Sequence, residues 1–240
     1  MIKTVFDLFR VIVHKPSRES LKLARLILKV KPTYTMVKSK NLLNLFSLVE
    51  KVNALNVPGD IVECGVWNGG ASAMMAFACL NTKVPRERLF WLFDSFEGLP
   101  LPGPQDGKVE NKYFFDGMCR GSVSSVEKVF EKLCLSLNNV RIVKGWFEAT
   151  LRGAAIDRIA VLHIDADWYD SVKYVLETFY EKVVPGGFIV LDDYGYWEGC
   201  NRALEDFISH NQIVGLVLKQ ADSTGVYFQK PAESRKHLVV

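Results

Sequence analysis

Gly59-Asp-Ile-Val-Glu-Cys-Gly-Val-Trp-Asn-Gly-Gly-Ala-Ser72 is the stretch from which the rest of the chain is read. Asp60–Cys64 is a short apolar block that runs straight into a glycine turn, and a helix opens near Ala71. In a strand–turn–helix unit of this kind the helix N-terminus presents backbone amides, and glycines let the backbone approach a ligand. Gly65 with Gly69 or Gly70 supplies that freedom. The spacing departs from G-x-G-x-x-G, so the turn alone does not separate a ligand loop from a tight structural turn.

Working outward, strand signals follow at Leu89–Phe93, Val140–Val143, Ile159–Ile164, Phe188–Leu191, Ile213–Leu218 and Gly225–Gln229. Helical spacing marks 70–80, 122–135, 170–183 and 199–210; Val172, Val175, Leu176, Phe179, Tyr180 and Val183 make the clearest apolar stripe. Several strands are unbroken apolar blocks, as expected when both faces of a sheet are covered. The alternation predicts an α/β fold, a doubly wound and mostly parallel seven-stranded sheet with right-handed crossovers. Ligands then belong at the carboxyl ends of the strands. Leu99–Gly121, with three prolines and four glycines, reads as a mobile lid.

The strand tips carry the chemistry. Asp94 ends the second strand, where an acidic residue can accept hydrogen bonds from both hydroxyls of a ribose, in a dinucleotide or in S-adenosylmethionine. Asp165-Ala-Asp167 ends the strand at 159–164, and Asp192-Asp193 ends the strand at 188–191. Adjacent parallel strands would bring these four carboxylates together, where they repel one another unless a cation or a proton sits among them. Hard oxygen ligands suit Mg²⁺, with Ca²⁺ or Mn²⁺ as alternatives. His163 lies inside an apolar strand and reads as a core histidine. Trp146 offers an aromatic face to an adenine, with plain packing the competing reading; Tyr194, Tyr196 and Trp197 suit an acceptor pocket or a loop anchor.

Composition narrows the class. With 240 residues, 49% hydrophobic and 24% charged, the chain has ample material for one core. No apolar run reaches the length of a membrane span, and the N-terminus lacks the apolar centre of a signal peptide. Five cysteines without paired spacing suit a reduced, cytoplasmic protein. The net charge of +3 hides an asymmetry: residues 1–40 hold ten Lys/Arg against two acids, a balance of +8, leaving −5 on the remainder. We therefore expect a basic amphipathic arm over residues 1–40 and a catalytic domain over 41–240. The arm carries a basic stripe, Lys22, Arg25 and Lys29, beside Leu21, Ala24 and Leu28. It suits either peripheral contact of residues 1–30 with an anionic membrane at its inner face, or packing on the domain or on a second copy in a homo-oligomer. Nucleic acid is not expected as a partner, because no array of stacking aromatics accompanies the cations.

Five segments together carry a resemblance: Tyr34-Thr-Met-Val37, Val57 through Gly70, Phe93-Asp-Ser-Phe-Glu-Gly-Leu-Pro100, His163-Ile-Asp-Ala-Asp-Trp-Tyr-Asp-Ser171 and Pro185-Gly-Gly-Phe-Ile-Val-Leu-Asp-Asp-Tyr194. Over about residues 33–230 the chain resembles the macrocin O-methyltransferase family, with its mycinamicin and novobiocin sugar O-methyltransferases. The resemblance implies a class I, Rossmann-like methyltransferase fold and metal-dependent transfer of a methyl group from S-adenosylmethionine to a hydroxyl of a sugar or glycan acceptor. It places Asp165, Asp192 and Asp193 on Mg²⁺, with Asp167 as general base and Asp165 beside it in the catalytic set. Glu63, Cys64, Gly65, Trp67, Gly69, Gly70, Ser72, Asp94, Ser95, Trp146 and Asp165 become the cofactor site. A metal-dependent glycosyltransferase using a sugar nucleotide is the alternative, since Asp165-Ala-Asp167 after an apolar strand also suits that chemistry.

Overall fold

The structure is a computed structural model that describes residues 18–81 and 88–231. Helix α1 (Arg18–Val30) and α2 (Ser39–Ala54) precede β1 (Asp60–Cys64), α3 (Gly70–Asn81) and β2 (Phe90–Asp94). Next come α4 (Lys108–Tyr113), α5 (Val123–Lys132), β3 (Val140–Lys144), the single turn α6 (Phe147–Thr150) and β4 (Ile159–Ile164). Then follow α7 (Tyr169–Phe179), a 3-10 turn at Tyr180–Lys182, β5 (Val183–Leu191), α8 (Glu198–His210), β6 (Lys219–Gln220) and β7 (Val226–Gln229).

The seven strands lie in the order β3-β2-β1-β4-β5-β7-β6. The first five run parallel, and β7 pairs antiparallel with β5. The direction of winding reverses between β1 and β4, which opens a crevice at their carboxyl ends. Every residue of β4 is buried, as its apolar run requires of a strand covered on both faces. One core cluster joins the sheet to α1, α2, α3 and α5, through Ile27, Leu45, Phe46, Met74 and Phe130. The other joins it to α7 and α8, through Val172, Val175, Leu176, Phe179 and Leu204.

Some boundaries differ from expectation. Helix α7 ends at Phe179 rather than at 183, because Val183 already pairs with Ile159 as the first residue of β5. Ile213–Leu218 is not a strand: Gly215 turns at φ +74, Val214 and Val217 lie open to solvent, and only Lys219 and Gln220 pair with β7. The segment 99–121 holds a helix, α4. In the arm, the break at Lys15-Pro16 lies outside the described residues. Ala24, Leu26, Ile27 and Val30 of α1 are buried on the domain, while Leu21, Lys22, Arg25, Leu28 and Lys29 face outward. Among the described residues no helix is long and apolar enough to cross a membrane.

Candidate active site

Two strand tips meet at the centre of the sheet. Asp165 donates its backbone N–H to the Cys64 carbonyl at 2.9 Å. A Cβ built on Gly65 would lie 1.7 Å from the Asp165 carbonyl oxygen, at φ +88. Gly65 is therefore required by the approach of β4 to the turn, whatever else binds there. Gly69 and Gly70 also meet close neighbours: Val126 of α5 beside the first, the Tyr34 carbonyl and Thr35 Cβ beside the second.

Several amides of the turn have partners within the protein. Val66 and Trp67 both donate to Asp94 Oδ2 at 2.8 Å, Gly65 donates to the Phe93 carbonyl, Gly69 to Val66, and Gly70 to Tyr34. Asp94 also accepts the Phe96 N–H at Oδ1, 2.6 Å. A carboxylate has about four acceptor positions, so Asp94 keeps acceptor capacity toward the cavity beside these three bonds. Burial pushes the Asp94 carboxyl up against the pull of these three N–H donors.

A cavity of about 740 Å³ opens over the tips of β1, β2, β4 and β5. Glu63, Gly65, Trp67, Asp94, Ser95, Trp146, Asp165, Asp167, Asp192 and Asp193 all border it. Cys64, Gly69, Gly70 and Ser72 do not border it. Cys64 is packed in the core, and the Ser72 hydroxyl donates to Glu63 Oε2 beneath the turn. Glu63 is itself buried and holds His163 Nδ1 at 2.8 Å through Oε1. His163 is thus a partnered core residue at that nitrogen, while its Nε2 has no hydrogen-bond partner among the described residues.

Sequence reasoning missed several wall residues. Met36, Val37 and Lys38 come from the chain between α1 and α2, Met118 and Cys119 from the lid, and Thr224 from the turn before β7. Only the Tyr34–Val37 motif had marked the first of these, and proline and glycine content the second. Asn41 gave no signal, yet its Nδ2 donates to Asp192 Oδ1 at 2.5 Å.

The four aspartates do converge, but not as one equal set. Oxygens of Asp165, Asp167 and Asp193 lie within 4.8 Å of one another, whereas Asp192 turns an oxygen to Asn41. Asp167 sits at φ +55, and its Oδ1 accepts the indole N–H of Trp197 at 2.7 Å. Burial, with Asp192, Asp193 and Asp167 adding repulsion, holds the Asp165 carboxyl well above its ordinary range. Burial also raises Asp167 to about 6 despite the Trp197 bond. Asp193 is held well above its usual range by burial and then by Asp167 and Asp192. Asp192 is raised by burial, with His163 and Asn41 pulling the other way. Asp193 Oδ2 is buried without a hydrogen-bond partner among the described residues. Buried carboxylates left this way are costly unless a cation or a proton completes them, so the donor set fits a hard divalent ion.

Comparison with known proteins agrees with this geometry. The family model described as Macrocin-O-methyltransferase (TylF) matches residues 25–230. The chain is 37% identical over 208 residues to the 8-demethyl-8-(2,3-dimethoxy-alpha-L-rhamnosyl)-tetracenomycin-C 4'-O-methyltransferase of Streptomyces olivaceus, covering 85% of this chain and 78% of that one. It is 36% identical over 201 residues to the demethyldecarbamoylnovobiocin O-methyltransferase of Streptomyces niveus, covering 82% and 76%. Among solved structures, the O-methyltransferase NovP superposes with a TM-score of 0.75 at 35% identity, covering 82% of each chain. These findings give the glycosyltransferase alternative no support. With the fold, the crevice and the motifs in agreement, the chain belongs to the macrocin O-methyltransferase family and is an S-adenosylmethionine-dependent O-methyltransferase.

Proposed function

We propose that this enzyme methylates a hydroxyl of a sugar or glycosylated acceptor, and that it does so with a divalent cation, Mg²⁺ in the first instance. The observation that carries this reading is that four aspartates from the tips of β4 and β5 border the cavity, with oxygens of Asp165, Asp167 and Asp193 within 4.8 Å of one another. The tetracenomycin relative named above acts, by its name, on a rhamnosyl-bearing small molecule, which supports the acceptor class.

Asp165, Asp192 and Asp193 would hold the ion, with Asn41 fixing Asp192. When bound, the ion supplies Lewis acidity toward a vicinal pair of hydroxyls. Asp167 is the base. Raised to about 6, it is largely ionised near neutral pH yet basic enough to take a hydroxyl proton as the oxygen attacks. The Trp197 N–H leaves Asp167 Oδ2 to receive that proton. The acceptor oxygen forms a bond to the methyl carbon, the carbon–sulfur pair leaves with sulfur, and the proton passes to Asp167. Glu63, Gly65, Trp67, Asp94, Ser95 and Trp146 would line the cofactor's side of the cavity, the half-exposed Trp146 facing the adenine. Their contribution is alignment of oxygen, methyl and sulfur.

Titration calorimetry with S-adenosylmethionine, with and without Mg²⁺, tests the reading. Micromolar cofactor binding is expected. Asp192→Ala should abolish turnover of a sugar acceptor while sparing that binding. Turnover unaffected by Asp192→Ala and by chelation would overturn the metal role.

A further inference from the structure

Helix α7 begins two residues after Asp167 and α8 five residues after Asp193, and neither supplies its own cap. Their N-cap residues are Trp168 and Trp197, with no side-chain capping bond at either. A helix start leaves its first amides without partners, and a short acceptor side chain at the N-cap ordinarily satisfies one of them.

Here the acceptors come from another part of the chain. Asp106 Oδ1 accepts the N–H of Tyr169, the first residue of α7, at 2.8 Å. Glu110 Oε1 accepts the N–H of Glu198, the first residue of α8, at 2.7 Å. Both carboxylates are buried and both belong to the segment over the cavity. Asp106 Oδ2 also closes its own turn by accepting the Gly103 N–H at 2.7 Å. The segment is pinched at its neck, where Leu99 donates to the Met118 carbonyl at 2.8 Å, making a compact loop of 99–118. The Trp168 indole N–H reaches the Pro100 carbonyl at 2.9 Å, and Arg202 reaches that of Gln105 at 3.0 Å. Leu99, Pro100 and Met118 of the same loop line the cavity.

The fit at Asp106 is close. A Cβ on Gly199 would lie 1.9 Å from Asp106 Oδ1, so only glycine at the second position of α8 admits the carboxylate. The two N-cap tryptophans are also in contact, their rings edge to face at 5.2 Å, and Trp197 holds Asp167. The loop, both helix starts and the base therefore form one connected set.

We propose that Asp106 and Glu110 are positioning residues that cap α7 and α8 from the lid, so that seating the lid and placing the aspartates are a single event. This rests on the reading of those aspartates as the metal ligands and base of the reaction. A lost cap corresponds to about a fivefold change in such an equilibrium.

The two residues predict different responses to the loss of one carboxylate oxygen. Asp106 uses both oxygens, so Asp106→Asn turns an amide NH₂ against a backbone N–H. Glu110 Oε2 has no hydrogen-bond partner among the described residues, so Glu110→Gln keeps the one acceptor in use. The test is amide hydrogen exchange on the full chain without ligand, together with near-ultraviolet dichroism from the paired tryptophans. Asp106→Asn should speed exchange over 99–118 and at the start of α7 by about fivefold or more, with β1 and β4 unchanged and the tryptophan signal altered. Glu110→Ala should speed the start of α8, and Glu110→Gln should match the wild type. If Asp106→Asn fails to fold, Gly199→Ala displaces the same carboxylate from the opposite side. The proposal is overturned if the loop loosens while both helix starts exchange at wild-type rates, or if Glu110→Gln behaves as Glu110→Ala. S-adenosylmethionine binding measured on the same samples tests the catalytic reading separately, since the exchange result does not depend on it.

Discussion

The indole N–H of Trp197 donates to Asp167 Oδ1 at 2.7 Å, while burial lifts the Asp167 carboxyl to about 6. The bond favours the ionised form and burial the neutral one, so Trp197 tunes the proposed base downward. Trp197→Phe keeps most of the ring and deletes the donor. The Asp167 value should then rise, and the acid limb of the pH–rate profile should move to higher pH. Near pH 6 the rate should fall on the order of tenfold for each unit of that movement, with recovery in alkaline buffer. A profile superimposable on the wild type would remove Asp167 as the base.

Removal of metal should make stability depend on pH in a defined sense. The carboxyls of Asp165, Asp167, Asp192 and Asp193 are all raised on folding, so the native chain binds protons more tightly than the unfolded chain. Their stabilising protonation is fully present below the ordinary carboxylate value and is lost as pH rises through the raised values, about 6 for Asp167. The metal-free protein should therefore lose stability from this cluster as pH rises from about 4, the ordinary carboxylate value, through about 6 for Asp167 and further for Asp165 and Asp193. Mg²⁺ should raise the melting temperature more near pH 7.5 than near pH 5, by about 2–4 °C for each kcal/mol of binding. An equal response at both pH values would count against a metal among these acids.

Asn41 should matter to metal affinity although it does not line the cavity. Asn41→Leu removes the donor to Asp192 Oδ1 and frees that carboxylate to turn. Loss of such a supporting bond typically costs about 10–100-fold in metal affinity. Calorimetric titration with Mn²⁺ would read it, with S-adenosylmethionine affinity as the control expected to stay unchanged.

Gly65→Ala is expected to be severe. The new methyl would meet the Asp165 carbonyl at 1.7 Å, at a backbone φ of +88 that side chains rarely adopt. A loss of about 3 kcal/mol or more in urea unfolding follows from the clash and the strain together. A wild-type midpoint would mean that the tips of β1 and β4 are not in contact.

The order and character of the elements are legible in the chain without coordinates. Unbroken apolar strands such as Ile159–Ile164 can be buried only in a sheet covered on both faces, and a helix between each pair forces parallel crossovers. With that topology the aspartates at 165, 167, 192 and 193 must arrive at one edge, because each pair directly follows its strand. Pattern alone fails at Ile213–Leu218, an apolar block that looks like a strand although Gly215 turns the chain. Where each polar group spends its hydrogen bonds is settled by packing instead. No spacing in the sequence ties Asn41 to Asp192, Asp106 to Tyr169 or Glu110 to Glu198, which are separated by 151, 63 and 88 residues. The same holds for the glycines at 69 and 70, which lie against Val126 and the Tyr34–Thr35 segment. Local pattern fixes which face of an element is buried; the partner of a buried polar atom is fixed by contact between distant segments.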